Sequence, residues 1–108
     1  MQSDSVGEVI ATRQLELVGE PATEVLVKIG KPELSEHNDY CCRVQVSGVG
    51  EEHVHGIVGM DSVQALQLAM RYVGTHLQRQ NTQCGGRLRW GDAPKGWFGF
   101  PIDTQLNT

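Results

Sequence analysis

Apolar and polar residues alternate along the first half of the chain. From residue 7 to about residue 18, most positions of one parity are apolar and those of the other parity are polar. The alternation returns in three later runs, each bounded by glycine, proline or a polar stretch. A period of two is typical of strands with one buried face. The pattern predicts strands over residues 7–18, 24–29, 40–47 and 53–58, and a polar loop over residues 30–39.

The parity of each run predicts which side chains face the core. The predicted inward positions are Val9, Ala11, Leu15 and Leu17, then Val25, Val27 and Ile29, then Tyr40, Cys42, Val44 and Val46, then Val54, Gly56 and Val58. Side chains of the opposite parity point outward in this prediction. Strands that follow one another without helices between them favour an antiparallel meander with one open face.

The hydrophobic period lengthens after residue 60, which predicts one long amphipathic helix over residues 62–79. Asp61 and Gln64 form an Asp-x-x-Gln pattern, typical of a helix cap at the N-terminus. Gly74 inside the helix costs about 1 kcal/mol relative to alanine, and we expect it to allow close approach to the sheet. The apolar stripe consists of Val63, Leu66, Met70, Val73 and Leu77, with Ala69 beside it.

Aromatic residues are frequent near the C-terminus, at positions 90, 97, 98 and 100. We expect this segment to dock on the domain, with a short strand near residues 87–90. The predicted fold is α+β: a four-stranded antiparallel meander with one long helix on one face, in the order ββββα, and an ordered aromatic-rich C-terminal segment. It forms a single domain over residues 7–101, with residues 1–6 and 102–108 as flexible tails.

Composition and charge narrow the choice of partners and compartment. The chain has 108 residues, a net charge of −4 and nine scattered Lys and Arg residues, so we expect no nucleic-acid partner. Its apolar runs fall short of the roughly 20 residues of a membrane span, and no secretory signal is apparent. Three cysteines, an odd number, favour free thiols and a cytoplasmic location.

His53 and His55 are the most obvious candidate metal ligands. Residues two apart on a strand point to one face, and Cys41 has the same outward parity. A metal site needs three or four ligands, however, and the outward Arg43 would repel a cation. We therefore expect two solvated histidines, with no metal and no cofactor. Asp61 is expected to cap the helix, which makes it a poor base.

Four segments of the chain together resemble a known family. They are "YCCRVQVSGVG" (40–50), "GMDSVQALQLAMRYVGTHL" (59–77), "GRLRW" (86–90) and "GFP" (99–101). They are similar to a family of small, uncharacterised bacterial proteins, which have a G-x-D-S-x-Q-A-L-x-L-A helix and a closing Gly-Phe-Pro. The resemblance covers about residues 7–101. It implies the architecture and no activity, because the family has no assigned function.

We expect a non-catalytic protein-binding domain of the immunity-like, inhibitor or adaptor kind, since no catalytic set of residues is apparent. Its contact surface for a protein partner or a second copy would be the open sheet face, through Leu26, Arg43, His53, His55 and Ile57.

Two alternatives to protein binding stay open at this point. The first is a small metal-dependent or thiol enzyme that uses His53, His55 and Cys41. The second is a small-ligand binder with a pocket near Trp90 and Trp97, between the sheet and the aromatic segment.

Overall fold

A computed structural model describes residues 5–101 of the chain. These residues form an α+β fold, as predicted, with one antiparallel sheet of six strands and one long helix. The elements in chain order are β1 (Val9–Leu17), β2 (Thr23–Gly30), β3 (Glu33–Leu34), β4 (Tyr40–Ser47), β5 (His55–Gly59), α1 (Ser62–Gln83) and β6 (Leu88–Arg89).

The four longer strands pair in chain order. β1 pairs with β2, β2 with β4 and β4 with β5, each time antiparallel. Two short strands extend this meander, so the sheet has six strands where four were predicted. β3 lies in the segment predicted as a loop and pairs with the start of β4. β6 pairs with the end of β1 and lies where the short strand near residues 87–90 was predicted.

The predicted inward side chains of β2 and β4 form the centre of the core. Val25, Val27, Cys42 and Val44 are at most 1% exposed, and Leu15 on β1 is 3% exposed. Their alternate positions fall on one sheet face because successive side chains of a strand point to opposite faces. The core therefore lies between this face and the helix.

The predicted orientation of β5 is wrong. Ile57 pairs with the inward Cys42, and paired residues of antiparallel strands point to the same face. Ile57 and His55 therefore face the helix, whereas Val58 is 54% exposed on the other side of the sheet. Gly56 also faces outward, where the Cys41 sulfur would lie 2.9 Å from an added Cβ atom.

The helix is longer than predicted and is rotated relative to the predicted stripe. It ends at Gln83, and its buried positions include Ala65, Ala69, Val73 and Leu77, spaced four apart. Val63, predicted to face the core, is 61% exposed. The small alanines allow the first turns of the helix to lie close to the sheet: a Cβ atom on Gly59 would meet the backbone of Ala65 at 2.4 Å.

The aromatic C-terminal segment docks on the inner face, as expected, with one exception. Phe98 and Phe100 are 2% and 3% exposed, whereas Trp97 is 41% exposed. Arg13 holds the segment: it donates a hydrogen bond to the carbonyl oxygen of Phe98 (3.0 Å), and its guanidinium lies 4.0 Å from the Trp90 ring centroid. This contact explains why a cation interrupts the apolar parity of β1.

Gly74 was predicted to allow close approach to the sheet. In the structure it lies close to the C-terminal segment instead. An added Cβ atom would lie 2.4 Å from the carbonyl oxygen of Pro101 and 3.1 Å from the Cβ atom of Phe100.

Of the predicted N-terminal tail, Val6 is in fact buried, at 4% exposure. Residues 1–4 and the predicted tail 102–108 lie outside the described residues. Within residues 5–101, no helix is both long enough and apolar enough to cross a membrane.

Candidate functional site

A cavity of about 470 Å³ opens between the second half of α1 and the segment that joins β4 to β5. Its volume lies in the range of about 300–1,000 Å³ that is usual for small-molecule sites. We call it the histidine cleft. It is lined by Gly50, Glu51, His55, Tyr72, His76, Arg79, Gln80 and Gln83.

Two elements and a loop position these side chains. Tyr72, His76 and Gln80 are four residues apart on α1 and therefore lie on one helix face. His55 reaches the same place from the first position of β5, because the register of that strand turns it towards the helix. Gly50 has a φ of +65°, and an added Cβ atom would lie 2.2 Å from Gln80 Oε1. The positive φ favours glycine at this position, where the loop passes close to the Gln80 side chain.

Three aromatic rings form one wall of the cleft. The ring centroids of His55 and Tyr72 are 5.0 Å apart, and those of Tyr72 and His76 are 5.9 Å apart. The Tyr72 and His76 rings are nearly parallel, at 14°. His55 is tilted by 46° against Tyr72. The wall thus consists of aromatic rings held by both the sheet and the helix.

His76 is the most unusual residue of this wall. Its side chain is 8% exposed, and its Nδ1 atom is buried with no hydrogen-bond partner among residues 5–101. Burial lowers the pKa of the imidazole below 6.5, helped by His55 and Arg79 and opposed by Glu51. The ring is therefore neutral at neutral pH. A buried polar atom left without a partner costs about 1–3 kcal/mol, so Nδ1 calls for a partner that the described chain does not supply.

Other polar groups of the cleft are also unpaired. The side chains of Tyr72, Arg79, Gln80 and Gln83 form no hydrogen bond or ion pair within the described part of the chain. Burial raises the pKa of the Tyr72 phenol, so it keeps its proton and can donate. Glu51 alone is engaged: its Oε1 lies 3.7 Å from Nε2 of His53. The cleft thus presents a free guanidinium, two amides and a phenol.

Metal binding has no complete ligand set in this structure. Across residues 5–101, no group of three or more His, Cys, Asp or Glu side chains is placed to hold a metal ion. Cys41, predicted as a companion of His53 and His55, lies against Gly56 on the outer sheet face, whereas His55 points to the helix. The structure therefore separates the candidate ligands.

The cysteines also lie away from the cleft. Cys42 is fully buried and donates a hydrogen bond to the carbonyl oxygen of Gly30 (3.3 Å), and burial raises its pKa to about 11. Cys84 caps the C-terminus of α1, where its sulfur contacts the carbonyl oxygen of Asn81 at 3.4 Å. Since no cysteine is among the residues that line the cleft, thiol chemistry is not placed there.

The five residues predicted to form one contact surface do not share a face. Leu26 and Arg43 lie on the outer sheet face, and Arg43 is held by Glu33 (3.0 Å) and by the backbone of Ser5 (3.0 Å). His53 precedes β5 and is exposed. His55 and Ile57 face the helix, which follows from the corrected orientation of β5.

The helix cap and the tryptophans lie apart from the cleft. The Asp61 carboxylate accepts a hydrogen bond from the backbone N–H of Gln64 (2.8 Å), and Gln64 Oε1 accepts one from the N–H of Met60 (2.7 Å). One face of Trp90 carries the Arg13 guanidinium, and Trp97 is exposed. Arg13 therefore occupies one face of the Trp90 ring, which was expected to border a pocket.

The cleft itself was missed at the level of sequence, although a signal for it exists. His76 and Gln80 follow the core residues Val73 and Leu77 by three positions, so both fall on the buried side of the helix. Both are in fact buried, at 8% and 9% exposure. Polar residues on the apolar side of an amphipathic helix are uncommon. The spacing of Tyr72, His76 and Gln80 by four residues therefore indicated a polar site on this side of the helix.

Comparison with known proteins places the chain in a family. A model for a domain of unknown function (DUF6968) matches residues 11–102, and the chain therefore belongs to this family. The match runs from β1 through the helix to the C-terminal aromatic segment, so it includes every element that lines the cleft. No curated protein and no solved structure matches the chain.

Proposed function

We propose that this protein is a non-catalytic binding protein that takes up a small polar molecule in the histidine cleft. The observation that carries the proposal is the position of His76. It is more than nine-tenths buried, it lines the cleft, and its Nδ1 atom has no partner within the described chain. Nδ1 itself is closed to solvent, so a ligand in the cleft would contact the part of the His76 ring that lines the cavity, together with the polar groups around it.

The unpaired groups around His76 support the same proposal. Buried or half-buried polar groups in proteins are normally hydrogen-bonded, yet the side chains of half-buried Tyr72 and buried Gln80 line one cavity with no hydrogen-bond partner among the described residues. The exposed Arg79 and Gln83 add two further polar groups to the same cavity. A few convergent polar groups beside ring surfaces are the usual composition of a small-molecule site.

Binding without catalysis suits the chemical character of the cleft. Nucleophilic catalysis requires a nucleophile within hydrogen-bond reach of a base. No serine, threonine or cysteine is among the lining residues, and the Tyr72 phenol is kept protonated by its raised pKa. The groups that are present orient and hold a molecule.

The test is a fragment screen followed by NMR of the four histidine rings. We expect binding fragments to shift the ring signals of His55 and His76 and to leave the exposed His37 unchanged. We also expect binding to be lost in His76→Leu and retained in His37→Leu, the matched control. Fragments that bind His76→Leu as tightly as the native chain would refute the proposal, as would a screen in which neither ring responds.

Contact with a second protein copy is a second candidate, favoured by the outer sheet face. The helix and the C-terminal segment both lie on the inner face, which leaves the apolar Leu26 and Val58 outside, with Val58 54% exposed. Light scattering over a range of concentrations tests self-association. We expect Val58→Asp to weaken it and Val63→Asp, on the exposed side of the helix, to leave it intact. A monomer at every concentration would count against this candidate.

A further inference from the structure

The chemistry of the histidine cleft indicates the class of molecule that fits it. We infer that the ligand is a planar aromatic monocarboxylate, an inference that rests on the binding function proposed above. It joins three properties of the cleft: an unpaired guanidinium, a wall of aromatic rings and a single opposing carboxylate.

Arg79 is the group that selects for a carboxylate. Its guanidinium is exposed, lines the cleft and has no hydrogen-bond or ion-pair partner in residues 5–101. A guanidinium binds a carboxylate through two parallel hydrogen bonds, which gives both strength and a fixed orientation. Gln80 and Gln83 stand one and four positions further along the helix and add amide donors beside it. The helix side of the cleft is therefore rich in donors.

The ring wall favours a flat body for the molecule. Tyr72 and His76 present nearly parallel rings, and His55 contacts Tyr72 at 5.0 Å between centroids. Planar aromatic groups gain from stacked or edge contacts with such rings beyond the burial of area, by about 0.5–1.5 kcal/mol for a pair. A saturated ring of similar size would lack this contribution.

Glu51 limits the charge that the cleft can accept. It is the one acidic side chain among the lining residues, and it faces the same cavity as Arg79. With one positive and one negative group at the mouth and a neutral His76 within, a second negative charge on the ligand would meet Glu51 without compensation. This arrangement favours a monoanion over a dianion such as phosphate.

The first experiment is calorimetric titration of the native chain with benzoate, benzamide, cyclohexanecarboxylate and inorganic phosphate. A hydrogen bond to a charged group contributes about 1.5–3 kcal/mol, or roughly 10- to 150-fold in affinity. We therefore expect benzoate to bind at least about tenfold more tightly than benzamide, with the saturated acid weaker than benzoate and phosphate weakest. Equal binding of benzoate and benzamide would overturn the inference.

Variants on the same helix provide the matched control. Arg79→Gln is expected to weaken benzoate binding about tenfold or more, whereas Arg71→Gln, an exposed arginine outside the cleft, should leave it unchanged. Glu51→Gln is expected to tighten binding, because it removes a like charge. Weaker binding after Glu51→Gln would overturn the inference and indicate a ligand with a positive group.

These outcomes are separable from failure of the proposed function. If none of the four probes binds, the aromatic monocarboxylate is refuted, while the fragment screen with His76→Leu still decides whether the cleft binds small molecules at all. If the screen yields only neutral or cationic molecules that need His76, the binding function stands and this inference fails.

Discussion

At the scale of single residues, His76 occupies a position that packing alone would assign to a leucine. It follows Val73 by three positions and precedes Leu77, both fully buried, and its Nδ1 atom is unpaired within residues 5–101. His76→Leu should therefore stabilise the ligand-free protein by about 1 kcal/mol, since it removes an unsatisfied buried polar atom. Urea denaturation measures this change. Exposed His37→Leu is the control, with an expected change within about 0.5 kcal/mol. A clear loss of stability in His76→Leu would mean that Nδ1 is already satisfied.

The same residue predicts how stability depends on pH. Burial lowers the pKa of folded His76 below its usual 6.5. His55 and Arg79 lower this pKa further, whereas Glu51 raises it. The unfolded chain then binds a proton more readily than the folded chain between the lowered pKa and 6.5. The contribution of neutral His76 is therefore complete above pH 6.5 and is lost as the pH falls through the folded pKa. We expect thermal denaturation to show this decrease in the native chain and a shallower one in His76→Leu. Equal slopes in the two proteins would exclude His76 as the source.

At the scale of elements, β2 and β4 could be predicted in both extent and facing. The facing of β1 was predicted only in part: Val9, predicted to face the core, is 43% exposed, because the register with β2 shifts between Val9 and Ala11. The facing of β5 could not be predicted, because His55, Gly56 and Ile57 offer no clear difference in polarity between the two parities. Its facing is decided by pairing with β4, which places Ile57 opposite Cys42. A shift of one residue in facing exchanges every side chain of a strand between the two sides. Because β5 faces the other way, His55 lies in the cleft, and the five residues predicted to form one contact surface lie on different faces.

The buried face of the helix was also predicted incorrectly in part. The existence of the helix and its capped start follow from the sequence. The predicted buried stripe included Val63 because the prediction relied on large apolar residues. The observed buried face runs through Ala65, Ala69, Val73 and Leu77, and its first two positions are small residues where the helix lies close to the sheet. Apolar size is thus a poor guide to depth when a helix packs closely.

Gly74 allows a prediction about the contact between the helix and the C-terminal segment. Helix propensity alone would make Gly74→Ala stabilising by about 1 kcal/mol. A Cβ atom there would lie 2.4 Å from the carbonyl oxygen of Pro101, and such overpacking costs about 1–3 kcal/mol. We expect a net loss of stability on urea denaturation, with Thr75→Ala, at the next and exposed helix position, nearly neutral. A gain in Gly74→Ala would show that the segment does not press on the helix in solution.

At the scale of the whole molecule, two layers and a single core could be anticipated. Polar residues on the buried side of the helix hinted at a site, but the position of the cleft between the helix and the sheet could not be predicted. The residues of the cleft come from a loop near Gly50, from one end of β5 and from about three turns of α1. These parts are separated by up to about thirty positions in the chain, and only the packing of the helix across the sheet brings them together. Local patterns report the period of each element, but they carry no information on where two elements leave a gap between them.

The core also depends on both ends of the described chain, which leads to the last prediction. Phe98 is 2% exposed and belongs to the same core cluster as Leu15 of β1, whereas its neighbour Trp97 is 41% exposed. Truncating a buried phenylalanine to alanine costs about 3–5 kcal/mol, a large part of the roughly 5–15 kcal/mol that stabilises a domain. Phe98→Ala should therefore lower the melting temperature sharply, and Trp97→Ala only slightly. Calorimetry on the two variants compares adjacent aromatic residues of similar size, so equal effects would mean that the C-terminal segment is a mobile covering and not a part of the core.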